Sequence, residues 1–148
     1  MNTELWAELK PEYLYLHCRG SFEIKDALKI IDNAFAIAEI EGLDAVLVDV
    51  MNLGGPTPTT LERYDLGVYA ADQQASRCKC IRIAVVGEEP MIDPYRFGET
   101  VARNHGAVAG VFTDYAAAMA WLGIKAAPSQ ANGDIGIAAA LRPVPLRG

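Results

Sequence analysis

Asp49 is the side chain that the sequence places best for chemistry. It closes a short apolar run, 45–50 (AVLVDV), that leads through Asn52 and a Gly54-Gly55-Pro56 turn into a threonine cluster, Thr57, Thr59 and Thr60. A carboxylate at the carboxyl end of a parallel strand stands beside the crevice in which open α/β sheets hold their ligands. Acid–base work would need a second acid, a His or a Lys nearby, and none follows in sequence, so bonding to turn amides around 52–55 is the simpler expectation for Asp49. Threonines at a helix start can attract an anion or a phosphoryl group, because the first backbone N–H groups are free and the helix dipole adds to them. Thr59 and Glu62 nevertheless have the spacing of a capping box, which accounts for these residues without a ligand. Gly54-Gly55 reads as a turn rather than a phosphate loop, since neither a Walker lysine nor a G-x-G-x-x-G spacing follows.

A second group comes from strand alternation. Tyr13, Tyr15 and His17 alternate with Leu14, Leu16 and Cys18, so the first three share one sheet face and the apolar set takes the other. Trp6 and Arg82 can fall on the same side as the tyrosines. Aromatic residues with an arginine favour a protein interface, with a pocket lining or plain surface as the alternatives. Cys78 and Cys80 form a C-x-C pair, but a zinc site needs about four ligands at recognisable spacing, and no second pair exists. No metal and no cofactor are therefore expected. Cys18 reads as a core thiol, and His105 sits at a helix end without a catalytic partner.

These residues need elements to hold them. Leu5, Ala7 and Leu9 alternate, then Leu14, Leu16 and Cys18, which predicts a hairpin joined at Lys10-Pro11-Glu12. After Ser21 as N-cap, Ile24, Ala27, Leu28, Ile31, Phe35 and Ala38 recur at helical spacing as far as Gly42. Residues 45–50 look like a parallel strand buried on both faces. A second helix starts near residues 57–60, with Thr57 as cap, Pro58 in the first turn, and Leu61, Tyr64, Val68 and Ala71 facing inward. IRIAVV (81–86) is the next strand, Asp93-Pro94 opens a third helix, residues 108–113 form the last strand, and Asp114 caps a fourth helix that stops at Gly123. The expected order is β-β-α-β-α-β-α-β-α, an α/β domain over 1–123 with a mostly parallel sheet of about five strands, an antiparallel N-terminal edge hairpin and four helices. Residues 124–148, rich in Ala, Gly and Pro, read as an appended tail with one apolar island at 135–141.

Composition removes several function classes. A chain of 148 residues has room for one domain, and 51% hydrophobic against 22% charged residues is too apolar for disorder. A net charge of −6 with a pI near 4.8 opposes nucleic acid and anionic membrane surfaces, which need clustered Lys and Arg. The opening decapeptide has no basic and apolar leader pattern, and no stretch is long and apolar enough for membrane insertion, so the cytoplasm is expected. Three cysteines cannot all pair, in keeping with a reducing compartment.

The runs Leu47-Val48-Asp49, Pro56-Thr57 and Leu61-Glu62-Arg63-Tyr64, followed by Arg82-Ile83-Ala84-Val85-Val86, Phe97-Gly98-Glu99, Asn104-His105-Gly106, Val111-Phe112-Thr113-Asp114 and Ala120-Trp121-Leu122, resemble a mostly bacterial, uncharacterised branch of the SpoIIAA-like superfamily. That superfamily contains the STAS domains and is related in fold to the CRAL-TRIO domains. The resemblance implies a β-α superhelix with helices chiefly on one side of the sheet, which would leave the Trp6, Tyr13, Tyr15, His17 and Arg82 side bare. It also implies a non-catalytic regulatory or interaction module for a protein partner or a second copy, with a carrier of a small apolar ligand as the alternative. The Asp-Ser-Ser-Gly pattern of the phosphorylated members is replaced here by Thr57-Pro58-Thr59-Thr60, so a kinase switch is not expected.

Overall fold

Alternating residues 3–9 and 14–21 pair as an antiparallel hairpin, β1 (Thr3–Leu9) with β2 (Leu14–Ser21), Leu5 lying opposite Cys18 and Ala7 opposite Leu16. The computed structural model describes residues 3–124 and 142–144. Helix α1 (Ile24–Glu41) follows and ends at Gly42, whose φ of 71° is the left-handed turn that favours glycine. Ser21 does not cap this helix. It closes β2 opposite Gly54, its carbonyl accepts the Thr3 hydroxyl at 2.6 Å, and the helix begins only after the extended Glu23.

Strand β3 (Ala45–Gly54) pairs parallel with β2, and the threonine-rich segment leads to α2 (Thr60–Ala75). The capping box forms as the spacing predicts, Glu62 N donating to Thr59 Oγ1 at 3.1 Å and Thr59 N to Glu62 Oε1 at 2.9 Å. Thr59, not Thr57, is the cap. The inner face of α2 also differs from the expectation: Gly67, Ala70 and Ala71 are buried, while Leu61 and Tyr64 are exposed. The reason is close helix packing, since a Cβ at Gly67 would lie 2.8 Å from the Gly98 carbonyl oxygen of α3 (Phe97–Asn104).

Strands β4 (Arg82–Val86) and β5 (Val108–Phe112) extend the parallel sheet, and α4 (Tyr115–Leu122) starts at Asp114, which accepts the Ala117 N–H at 3.1 Å. A short strand, β6 (Arg142–Val144), pairs antiparallel with β1 beyond the expected set, so part of the tail adds a sixth strand at that edge. The apolar island at 135–141 lies outside the described residues. The sheet order is β5-β4-β3-β2-β1-β6.

Two apolar layers result. On one face Leu14, Leu16, Val46, Val48 and Ile83 pack against Ile30, Ala34, Phe35 and Ala38 of α1, Ala70 and Ala71 of α2, and Ala102 of α3. On the other, Tyr15, Leu47, Ala84 and Val86 pack against Ala118, Met119 and Leu122 of α4. Three helices thus share one side, and on the opposite side α4 lies over β3, β4 and β5. Among the described residues no helix is long and apolar enough to cross a membrane.

Candidate functional site

Asp49 turns toward α4 and is 1% exposed. Its Oδ2 accepts the Tyr15 hydroxyl at 2.6 Å and the Tyr115 hydroxyl at 2.5 Å, and its Oδ1 accepts the Met51 N–H at 2.9 Å. His17 Nδ1 lies 3.5 Å from Oδ2, and Asn52 stands 3.5 Å from the other ring nitrogen. Burial alone would push this carboxyl up, but the contacts from His17, Tyr115, Tyr15 and the Met51 amide outweigh it and hold Asp49 below its ordinary value. Burial, followed by the hydrogen bond to Asp49, pushes both phenols well above the usual tyrosine range. An ionised carboxylate saturated by donors is a poor base, and a phenol that keeps its proton in a hydrogen bond to that carboxylate is a poor nucleophile. The cluster's direct effect is mechanical: Tyr115 is the first residue of α4, so Asp49 fastens that helix to the sheet.

This arrangement corrects two expectations. Asp49 bonds one turn amide, at Met51, and otherwise bonds tyrosines. Tyr13 and Tyr15, at 5% and 9% exposure, are core residues beneath α4 rather than a bare interface. His17 and Trp6 are half-buried register partners, with the Arg19 guanidinium 5.1 Å above the Trp6 ring. Arg82 lies at the far end of the face, where it donates to Leu122 O and to Asp44 Oδ1, holding the end of α4. Thr57, Thr59 and Thr60 are exposed at the start of α2 and are not gathered with Asp49. Tyr115 was missed because it lies 66 positions from Asp49, beyond the reach of any local spacing.

The other side of the sheet holds a cavity of about 210 Å³. Ala27, Ile30 and Ile31 of α1 form one wall, Leu66, Gly67 and Ala70 of α2 another, with Val48, Val50, Ile83 and Val85 of the sheet as its floor. Ala102 and Ala107 face it, and residues 91–93 lie over it. Small side chains contribute to the hollow: Ala27, Ala70 and Ala102 line it where a larger apolar residue would fill space, whereas Gly67 marks the place where α2 and α3 touch. Runs of small residues at helical spacing on α2 and α3 were the one sequence signal for it. Arg63 ties the overlying segment to α2, donating to Met91 O at 3.1 Å and to Pro90 O at 3.0 Å.

Among the described residues, no group of three or more His, Cys, Asp or Glu side chains is placed to hold a metal ion. Cys18 lines the cavity with its thiol pushed up to about 12 by burial and then by the Asp49 charge, while Cys78 and Cys80 are exposed and free. Comparison with known proteins finds no family model and no curated protein that matches the chain.

Proposed function

We propose that this chain is a non-catalytic carrier or sensor that encloses one small apolar or amphipathic molecule between helices α1, α2, α3 and the sheet. One observation carries the reading: a cavity of about 210 Å³ whose walls are overwhelmingly apolar side chains. An apolar cavity of about 150 Å³ takes up benzene, so a space of about 210 Å³ has room for a small organic molecule. Carriers need such a space with few polar groups at its mouth, and catalysis needs poised acids and bases that the Asp49 cluster does not supply. Membership of the STAS-like group, a regulatory role and a cytoplasmic setting belong to the same proposal. The interaction reading draws less on that face, since Tyr13 and Tyr15 are buried in the α4 cluster while His17 is half-buried.

Native mass spectrometry on gently purified protein tests this reading. The wild type is expected to carry an adduct of about 100–200 Da, the size such a space holds, and Ala70→Leu, which fills the cavity from α2, is expected to lose it. An adduct of equal abundance on both proteins would move the ligand elsewhere and end the proposal.

A further inference from the structure

The polar side chains that line the cavity decide what its occupant can be. Among the described residues there are six, Thr3, Cys18, Arg63, Asp93, Arg96 and Glu99. Thr3 gives its hydroxyl to the Ser21 carbonyl, and Arg63 gives both terminal nitrogens to the Met91 and Pro90 carbonyls. Asp93 accepts the Tyr95 and Phe97 amides at 3.2 and 2.9 Å, and Glu99 accepts the Val111 amide at 2.8 Å with Arg103 3.6 Å away. Cys18 is a buried neutral thiol, a weak donor. Arg96 alone has a charged head with no hydrogen bond or ion pair among the described residues, and it stands exposed at the rim, before the first turn of α3.

An occupant with a polar group in the interior would bury that group against partners already engaged, which is unfavourable. Its polar end must therefore lie at the rim, and the free partner there is a guanidinium, whose flat fork matches a carboxylate in two parallel hydrogen bonds. Asp93 and Glu99 keep their negative charge at the rim and work against an anionic head, so the preference rests on the paired hydrogen bonds that Arg96 offers. Resting on the carrier reading above, we infer that the ligand is an amphiphilic carboxylate whose apolar body fills the cavity and whose carboxylate pairs with Arg96. Scaling from the cavity that takes up benzene, 210 Å³ corresponds to a body of about eight carbons.

Isothermal titration of the full chain with octanoate and with octanol, which share the apolar body and differ in the head, tests the inference. The wild type is expected to bind octanoate about tenfold more tightly than octanol, the worth of one charge-assisted hydrogen-bonded pair at a wet rim. Arg96→Gln is expected to erase that preference by weakening octanoate about tenfold more than octanol, and Arg96→Lys to restore part of it. Equal affinity for the two probes in the wild type, or a preference that survives Arg96→Gln, would overturn the carboxylate assignment and leave the carrier reading standing. Failure of both probes to bind would overturn both.

Discussion

At the scale of single residues, Asp49 sets the chemistry of the folded chain. Its carboxylate is buried, so ionising it is favourable only because His17, Tyr115, Tyr15 and the Met51 amide all point donors at it. Asp49→Asn keeps the shape but replaces a charged acceptor by a weaker one and puts an NH2 group near the phenols. We expect a loss of about 2–4 kcal/mol at neutral pH, read from urea unfolding midpoints. The pH dependence has a definite sign. Asp49 is held below its ordinary value in the fold, so the unfolded chain takes up this proton first on acidification. The stabilisation is present above the ordinary carboxylate value and disappears as pH falls through the folded one. The gap between wild type and Asp49→Asn should therefore shrink in acid. A gap that stays constant would mean that the variant's effect is packing alone. The phenols run the other way. Their raised values stabilise the fold below the ordinary tyrosine range and lose that effect as pH rises through the folded values, so the Tyr15 and Tyr115 phenolate absorbance should emerge with unfolding, and earlier in Asp49→Asn.

At the scale of elements, two sites on α2 separate capping and packing from intrinsic propensity. Thr59→Ala removes the hydroxyl half of the capping box and should cost about 1 kcal/mol, whereas Thr57→Ala and Thr60→Ala should each change stability by less than about 0.5 kcal/mol. Comparable losses at all three would point to a bound group that the capping box does not explain. Gly67→Ala pits two effects against each other. Helix propensity favours alanine by about 1 kcal/mol, but the new Cβ would meet the Gly98 carbonyl oxygen at 2.8 Å and the Val101 side chain at 2.9 Å. A backbone oxygen yields only if α2 and α3 move apart, so overpacking should win, with a net loss of about 1–2 kcal/mol in thermal unfolding. A stabilised variant would show that the two helices are looser than their spacing implies. Which features the sequence made legible follows from the same distinction between local and distant. The Thr59–Glu62 box, the Gly42 and Gly123 stops and the strand alternation depend on neighbours within four positions, and all of them form as expected. The side taken by α4 does not, because YAAAMAWL is apolar on most of its circumference and declares no face. The Asp49–Tyr115 bond spans 66 positions, and the cavity arises from what small residues leave unfilled, which no pattern of apolar and polar letters records.

At the scale of the whole molecule, the sheet separates two kinds of interior. The α4 side is closed by a hydrogen-bonded anchor and by Leu47, Ala84, Val86, Met119 and Leu122, whereas the α1–α3 side keeps an open space beside its apolar cluster. A packed sheet between them should insulate one from the other, because substitutions with no shared partners add to within about 0.5 kcal/mol. Ala70→Leu puts apolar atoms into the cavity and should raise stability by about 1 kcal/mol, the order expected for burying extra methylene groups where room exists. Combined with Asp49→Asn, it should leave the loss caused by that variant unchanged. Ligand linkage extends the argument: a molecule that binds only the folded chain adds about 2.7 kcal/mol at a hundred times its Kd, whatever the stability of the host. Octanoate should therefore protect Asp49→Asn as much as it protects the wild type, and should protect Ala70→Leu hardly at all. Urea unfolding of the four proteins, with and without octanoate, measures both effects. Protection that fell with Asp49→Asn would mean that the α4 anchor shapes the cavity through the sheet, and the two faces would then have to be treated as one cooperative site.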